Sequence, residues 1–258
     1  MGHPDLELNG KTAVVIGGTS GIGRTMALAL AKAGANVVPT GRREELAAAA
    51  ADEVRKLGRR SLAVATDVTD RKSIEALLKT VTGEFGSVEI LLNAAGRTKR
   101  TPTLDVSETE WNDIMRTNVT GTLLACQVFG QHMIERKWGR IINIASLSTF
   151  VALFEVAAYA ASKSAVASLT KSLAIEWARH GVCVNAIAPG LFRTDLNAAL
   201  LDGTARGKEF LVRTPMGRFG QLPELEAAAV FFASEGARFI TGQILAVDGG
   251  FLASGVNQ

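Results

Sequence analysis

The chain has 258 residues, 47% hydrophobic and 21% charged, with a formal net charge of +3. That is the balance of an ordinary soluble globular protein, with ample apolar material for one sizeable core. Basic residues are scattered rather than blocked, which argues against a nucleic-acid partner. No basic-then-apolar leader and no apolar run of ~18 residues is present, so the expectation is a cytoplasmic protein with no membrane partner. Cys126 and Cys183 lie in no C-x-x-C or Cys/His cluster, and the three histidines form no spaced pair, so neither a metal site nor a disulfide framework is expected.

In chain order, "TAVVIG" (12–17) reads as a buried strand, followed by a helix over 21–35. "NVVPT" (36–40) is a second strand, although Pro39 inside it costs a ladder hydrogen bond. A helix over 43–58 carries glutamates in its first turn and basic residues in its last, matching the helix dipole. "SLAVATDV" (61–68) reads as a third strand, 74–86 as a helix and "VEILLNAAG" (88–96) as a fourth strand. Ser107 then opens a long helix through a capping box, "SETE". "GRIINIAS" (139–146), "VCVNAIAPG" (182–190) and "GQILAVDGG" (242–250) read as strands five to seven, with a helix over 158–180 between the first two. Val- and Ile-rich runs without alternation imply burial on both faces, and helical connections imply a parallel sheet. The expectation is one α/β domain over 1–258: a doubly wound, parallel, seven-stranded sheet with helices on both faces.

"GGTSGIG" (17–23) follows the first strand and opens the first helix. Glycine there permits a tight turn and close backbone approach to a pyrophosphate, while the helix N-terminus offers free N–H groups. A carboxylate at the end of the second strand would favour a free ribose; a 2′-phosphate needs a cation. No acid lies between Ala35 and Arg43, and Arg42 follows the turn glycine. This favours NADP(H) over NAD(H). Tyr159 is the only tyrosine against eleven phenylalanines, and Lys163 follows it by four residues, on the same helix face. A hydride added to a carbonyl leaves an alkoxide that needs a proton, which a phenol can give and take back. A cation at ~4–5 Å in an effective dielectric of ~20 can supply the roughly 4 kcal/mol that brings a phenol from ~10 towards 7.

These motifs, with "DV" (67–68), "NAAG" (93–96), "NVTG" (118–121), Ser146, "YAASK" (159–163), "PGLFRT" (189–194) and "VDGG" (247–250), resemble the short-chain dehydrogenase/reductase family over essentially the whole chain. Ile16 and Ala94 depart from the residues common at their positions in the family. The resemblance implies a single-domain Rossmann fold and a catalytic tetrad of Asn118, Ser146, Tyr159 and Lys163. It implies cofactor contacts from Gly17, Thr19, Ser20, Gly21, Ile22, Gly23 and Arg42. Asp67 and Val68 would lie beside the adenine, Asn93, Ala95 and Gly96 along the ribose, and Pro189, Gly190, Phe192 and Thr194 over the nicotinamide, with Tyr159 and Lys163 completing the set. Asn118 would hold a water that links Lys163 to solvent. Ser146, Ser148, Tyr159, Arg97 and Arg193 are the substrate-binding candidates, with Lys99, Arg100 and Arg213 in the same segments.

The small-molecule substrate is an alcohol or carbonyl compound. The C-terminal third is most similar to the gluconate 5-dehydrogenase-like branch, which implies a sugar acid. The 3-oxoacyl-thioester reductase branch is the alternative, and a non-catalytic NADP(H) sensor is disfavoured by the intact Tyr and Lys. The family also implies a homotetramer. Apolar positions on the 107–137 helix and the tail residues Phe251 and Leu252 are consistent with buried subunit contacts.

Overall fold

A computed structural model describes residues 3–194 and 198–255. Among them, six strands form one parallel sheet: β1 (Thr12–Ile16), β2 (Asn36–Thr40), β3 (Ile90–Asn93), β4 (Gly139–Ile144), β5 (Val182–Pro189) and β6 (Ile244–Val247), in the order β2-β1-β3-β4-β5-β6. Helices α1 (Gly21–Lys32), α2 (Glu44–Lys56), α3 (Arg71–Phe85), α4 (Glu108–Met115), α5 (Gly121–Glu135), α6 (Ala157–Trp177), α7 (Ala198–Leu201), α8 (Ala205–Arg213) and α9 (Glu226–Ala233) surround it.

The core divides as a period of two along each strand dictates. Ala13, Val15, Val37, Ile90, Leu92 and Ile142 pack with Met26 and Leu30 of α1 and Phe232 of α9. Their neighbours Val14, Ile16, Val38, Leu91 and Ile141 face Leu77 of α3, Phe129 of α5 and Leu173 of α6 on the other side. With both faces covered, β1, β3, β4 and β5 are buried throughout. Strand order reverses between β1 and β3, which opens a crevice at the carboxyl ends of the strands, the usual ligand position in such sheets.

The expected third strand, 61–68, is not a strand, and the sheet has six members rather than seven. Pro39 supplies the reason. Asn36 and Thr40 direct their backbone bonds towards the β1 side, so residues 37, 39 and 41 face the outer edge. Val37 N–H donates to Arg60 O (3.2 Å) and Thr66 N–H to Gly41 O (2.9 Å), but Pro39 between them has no N–H to offer. The ladder shrinks to one bridge, Gly41 with Ala65, backed by the Ser61 hydroxyl on Val37 O (2.6 Å) and by Thr40 on Thr66 (2.9 Å).

The expected long helix is also interrupted. Ser107 caps α4 by accepting from Glu110 N (3.1 Å), but a π-helical turn, Arg116–Thr120, separates α4 from α5. Phe251, expected to be uncovered, lies with its ring 6.2 Å from that of Phe210 on α8, and both it and Leu252 are partly buried.

Candidate active site

The glycine loop joins β1 to α1. Gly17 has φ 82°, and a Cβ there would fall on the backbone nitrogen of Ala95; a Cβ on Gly23 would fall on Gly17 O. Loop, helix and the segment after β3 thus meet backbone to backbone. Gly17 and Gly18 both donate to Thr40 O (2.8 and 3.1 Å). Gly21, at φ 50°, is different: a Cβ there would meet nothing within 4 Å. Ser20, the N-cap, makes no side-chain cap bond, and the first turn of α1 holds no acidic residue. An open cradle at a helix N-terminus without an anionic partner suits a phosphate group.

Arg42 stands exposed just beyond β2 and forms no ion pair among the described residues. Its charge reaches Asp67. The Thr69 N–H (2.9 Å) chiefly holds the Asp67 carboxyl below its usual range, against the opposing effect of burial; the Thr69 hydroxyl (2.8 Å), Arg42 and Arg116 add to the lowering. Val68 is buried beside Gly121, where a Cβ would come within 3.0 Å of it. Asn93 is buried; its amide donates to Asn143 Oδ1 (2.9 Å), while its own Oδ1 has no partner. An uncovered arginine, an open glycine cradle and an unsatisfied acceptor along one crevice fit a phosphorylated dinucleotide cofactor.

Ser146 follows β4, and its hydroxyl accepts from Ser148 N (3.2 Å) and hydrogen-bonds the Tyr159 phenol. Tyr159 lies in the first turn of α6, with Lys163 one turn further. Lys163 is 5% exposed; its Nζ donates to Ile144 O at 2.6 Å and lies 5.7 Å from the centroid of the Tyr159 ring. Asn118 sits in the π turn. Its Oδ1 accepts from Arg97 N (2.7 Å), and its Nδ2 lies within hydrogen-bond reach of Arg97 O and Ser162 Oγ (both 2.9 Å). Ser162 Oγ donates in turn to Tyr159 O (2.7 Å). Gly96 keeps the space between them narrow: a Cβ there would lie 3.7 Å from both Asn118 Oδ1 and Lys163 Nζ. The π turn, the segment after β4 and helix α6 therefore bring Asn118, Ser146, Tyr159 and Lys163 together.

Burial pushes the Tyr159 phenol up, with the Ser146 hydrogen bond opposing, and pushes the Lys163 ammonium down to about 8. This differs from the expectation that the lysine charge draws the phenol towards 7. Desolvation dominates in the chain alone.

At the far side of the crevice Pro189 ends β5, and Gly190 N donates to Val247 O (2.8 Å). Phe192 is 5% exposed and packs into the α1/α9 core layer, with its ring against Gly220, so its side chain is core. Thr194 is partly buried, as are Thr19, Ile22 and Ala95 around the glycine loop.

The cations of the expected substrate segments are nearly all matched with acids: Arg97 with Asp113 (3.0 Å), Lys99 with Glu110 (2.6 Å), Arg100 with Glu155, Arg193 with Asp202 (2.7 Å) and Arg213 with Glu209 (3.3 Å). Ser148 is 4% exposed and its hydroxyl oxygen has no partner. Reading residues alone missed Ser162, which links Asn118 to Tyr159, and Arg206, whose guanidinium reaches Phe154 O (3.1 Å). The only signal for Ser162 was its place inside "YAASK"; Arg206 had none. Among the described residues no group of three His, Cys, Asp or Glu side chains could hold a metal ion, and no helix is long and apolar enough to cross a membrane.

The fold and this grouping of Ser, Tyr and Lys beside a glycine cradle define a dinucleotide-dependent oxidoreductase, and the chain belongs to the short-chain dehydrogenase/reductase family. Residues 17–252 match a family model described as enoyl-(acyl carrier protein) reductase. The chain is 39% identical to gluconate 5-dehydrogenase of Gluconobacter oxydans (strain 621H) over 255 residues, covering 98% of this chain and 100% of that protein. It is 40% identical to 2-dehydro-3-deoxy-D-gluconate 5-dehydrogenase of Escherichia coli (strain K12), over 95% of this chain and 97% of that protein. A gluconate 5-dehydrogenase from Burkholderia cenocepacia J2315, crystallised with NADP and tartrate, superposes with a TM-score of 0.94 at 39% identity, covering 97% of this chain and 98% of that one.

Proposed function

We propose that this protein is an NADP(H)-dependent oxidoreductase that interconverts a secondary alcohol and a ketone on a sugar acid of the gluconate/5-ketogluconate type. The observation that carries the reaction class is the hydrogen-bonded Ser146–Tyr159 pair with Lys163 one helical turn away. The cofactor, when bound, supplies or accepts the hydride. The chain's own residues manage the oxygen. Ser146 hydrogen-bonds the substrate oxygen, and Tyr159 gives the proton to the forming alkoxide or takes it from the alcohol. Lys163 sets the charge beside the phenol. Arg42 binds the 2′-phosphate, Gly21 and the α1 N-terminus receive the pyrophosphate, and Asp67 and Val68 border the adenine. Tartrate, named with the Burkholderia protein, is itself a hydroxy acid, which supports the substrate class.

The test is a panel of sugar acids, their keto forms and 3-oxoacyl thioesters, each assayed with NADPH and NADH. Fastest NADPH-dependent reduction of a keto sugar acid is expected. Turnover of the thioesters with none of the sugar acids would overturn the substrate class.

The protein is further proposed to work as a cytoplasmic homotetramer. Two free cysteines suit a reducing compartment. Ile175 on α6 is 81% exposed, and Leu245 on the edge strand β6 and Phe239 just before that strand are exposed too. Apolar surface of that kind suits subunit contacts. A monomer mass by light scattering at micromolar concentration would refute the assembly.

A further inference from the structure

Of the five arginines in the segments 97–102, 147–156 and 191–216, four are paired with a carboxylate. Among the described residues no acid pairs with the fifth, Arg206, in the first turn of α8. It is half-buried, its Nη1 donates to Phe154 O (3.1 Å), and its guanidinium lies 5.5 Å from the centroid of the Phe210 ring. Lys208, the other unmatched cation of these segments, points to solvent two residues further along the same helix.

Arg206 is also close to a second guanidinium. Burial pushes its pKa down and the charge of Arg100 adds to that effect, while Glu155 and Glu209 oppose it. Glu209 is engaged by Arg213, and Glu155 by Arg100. Glu155 is thus held by Arg100 in an ion pair and reaches Arg206 only through its charge. The three segments converge here: Thr101 N donates to Glu155 O (2.8 Å), and Phe154 and Glu155 lie on the loop that runs from Ser146 and Ser148 to Tyr159. A guanidinium offers five N–H donors in a planar fork, and only one of Arg206's is engaged by the protein.

We propose that Arg206 binds the carboxylate of the substrate, with Arg100 and Glu155 tuning the charge at that end of the crevice. The inference rests on the sugar-acid reading above and adds to it the residue that selects an acid over a neutral sugar. A carboxylate here gives Arg206 the anionic partner that no described residue provides, and the fork geometry of arginine matches its two oxygens. Neutral polyols gain nothing from the same contact.

The experiment compares kcat/KM for 5-ketogluconate and its carboxamide, with the purified chain and NADPH. Wild type is expected to prefer the acid. Arg206→Gln should lower kcat/KM for the acid by roughly 10- to 150-fold, the range of one charge-assisted contact, and leave the carboxamide nearly unchanged. Lys208→Gln should leave both unchanged. Glu155→Gln, which frees a second guanidinium, should raise the acid-to-amide ratio; it also decides the matter if Arg206→Gln does not fold. An unchanged ratio in Arg206→Gln, or in Glu155→Gln where it is the deciding variant, overturns the assignment while the sugar-acid reading stands. Equal turnover of acid and carboxamide by wild type overturns it too. A wild type that reduces neither compound refutes the sugar-acid reading itself, and the Arg206 assignment with it.

Discussion

Replacing Arg42 with alanine tests the cofactor reading most directly. Arg42 is exposed and holds no acid in an ion pair among the described residues, so its removal breaks nothing that the fold depends on. What it loses is a charge-assisted contact to the 2′-phosphate, ~1.5–3 kcal/mol. Solvent screens an exposed guanidinium, so the lower half of that range applies, about 10- to 45-fold in kcat/KM for NADPH. A second effect has the same sign. Asp67, ionised at neutral pH through Thr69, loses the Arg42 charge that partly masks it. A like charge separated by water from the phosphate adds at most about 1 kcal/mol, so the lost contact decides the outcome. NADH has no phosphate at that position and should change by less than about twofold. The assay is initial velocity against each cofactor at one fixed ionic strength, because salt screens both terms. Equal losses with the two cofactors, or a wild type that prefers NADH, would refute the reasoning.

Tyr159→Phe keeps shape and removes the proton donor, so turnover should fall by at least ~100-fold while the melting temperature and cofactor affinity hold; near-normal turnover would exclude Tyr159 as the acid. Lys163, with its folded pKa near 8 against a reference of 10.5, binds fewer protons in the folded than in the unfolded state between those values. Stability of the cofactor-free chain should therefore gain on the order of 2 kcal/mol from this group between about pH 8 and about pH 10, above which the raised Tyr159 pKa opposes it. Urea midpoints across that window should lose this rise in Lys163→Met. Gly17→Ala forces a left-handed backbone and a clash with Ala95, and should cost ~2–4 kcal/mol by urea denaturation. Gly21→Ala meets open space, so it should cost ~1–2 kcal/mol in backbone strain yet abolish tight NADPH binding by calorimetry.

The parts of the fold set by local patterning were legible in the chain. Five of the six strands are runs of buried Val, Ile, Leu and Ala that need no partner to be recognised, and the sixth, β6, is a short one flanked by glycines. The glycine loop and the Tyr–Lys spacing are local as well. What escaped depends on the rest of the molecule. The proline in β2 was visible, but which edge it faced was not, and that edge decides whether 61–68 can join the sheet. The capping box at Ser107 gave the start of α4 correctly, yet the apolar pattern runs on through Arg116–Thr120 and gives no sign of the π turn there. Arginines 97, 100 and 193 read in sequence either as anion-binding groups or as solvated surface residues, because their acids are remote or unremarkable there: Asp113, Glu155 and Asp202. Arg206 drew no notice because nothing local separates it from a solvated helix residue.

The π turn gives the site its coherence. It places the Asn118 amide between the backbone of Arg97 and the hydroxyl of Ser162, and Ser162 passes the connection to the carbonyl of Tyr159. All three of these side-chain contacts go to protein atoms, so Asn118 ties the segment after β3 to the start of α6. One end of the chain of bonds is the segment that carries Arg97 to Arg100; the other is the helical turn that carries the phenol. Thr101 and Glu155 tie the same two segments again, backbone to backbone, further out. The segment carrying Arg97 to Arg100 and the turn carrying Tyr159 are thereby fixed to each other. Lys163 is fixed separately, on Ile144 O at the end of β4. Burial favours the neutral form of both Tyr159 and Lys163, so the chain alone does not poise the phenol for proton transfer at neutral pH. The fold thus sets the geometry of the Ser146–Tyr159 pair and of Lys163 in advance, while burial by itself holds both ionisable groups towards their neutral forms.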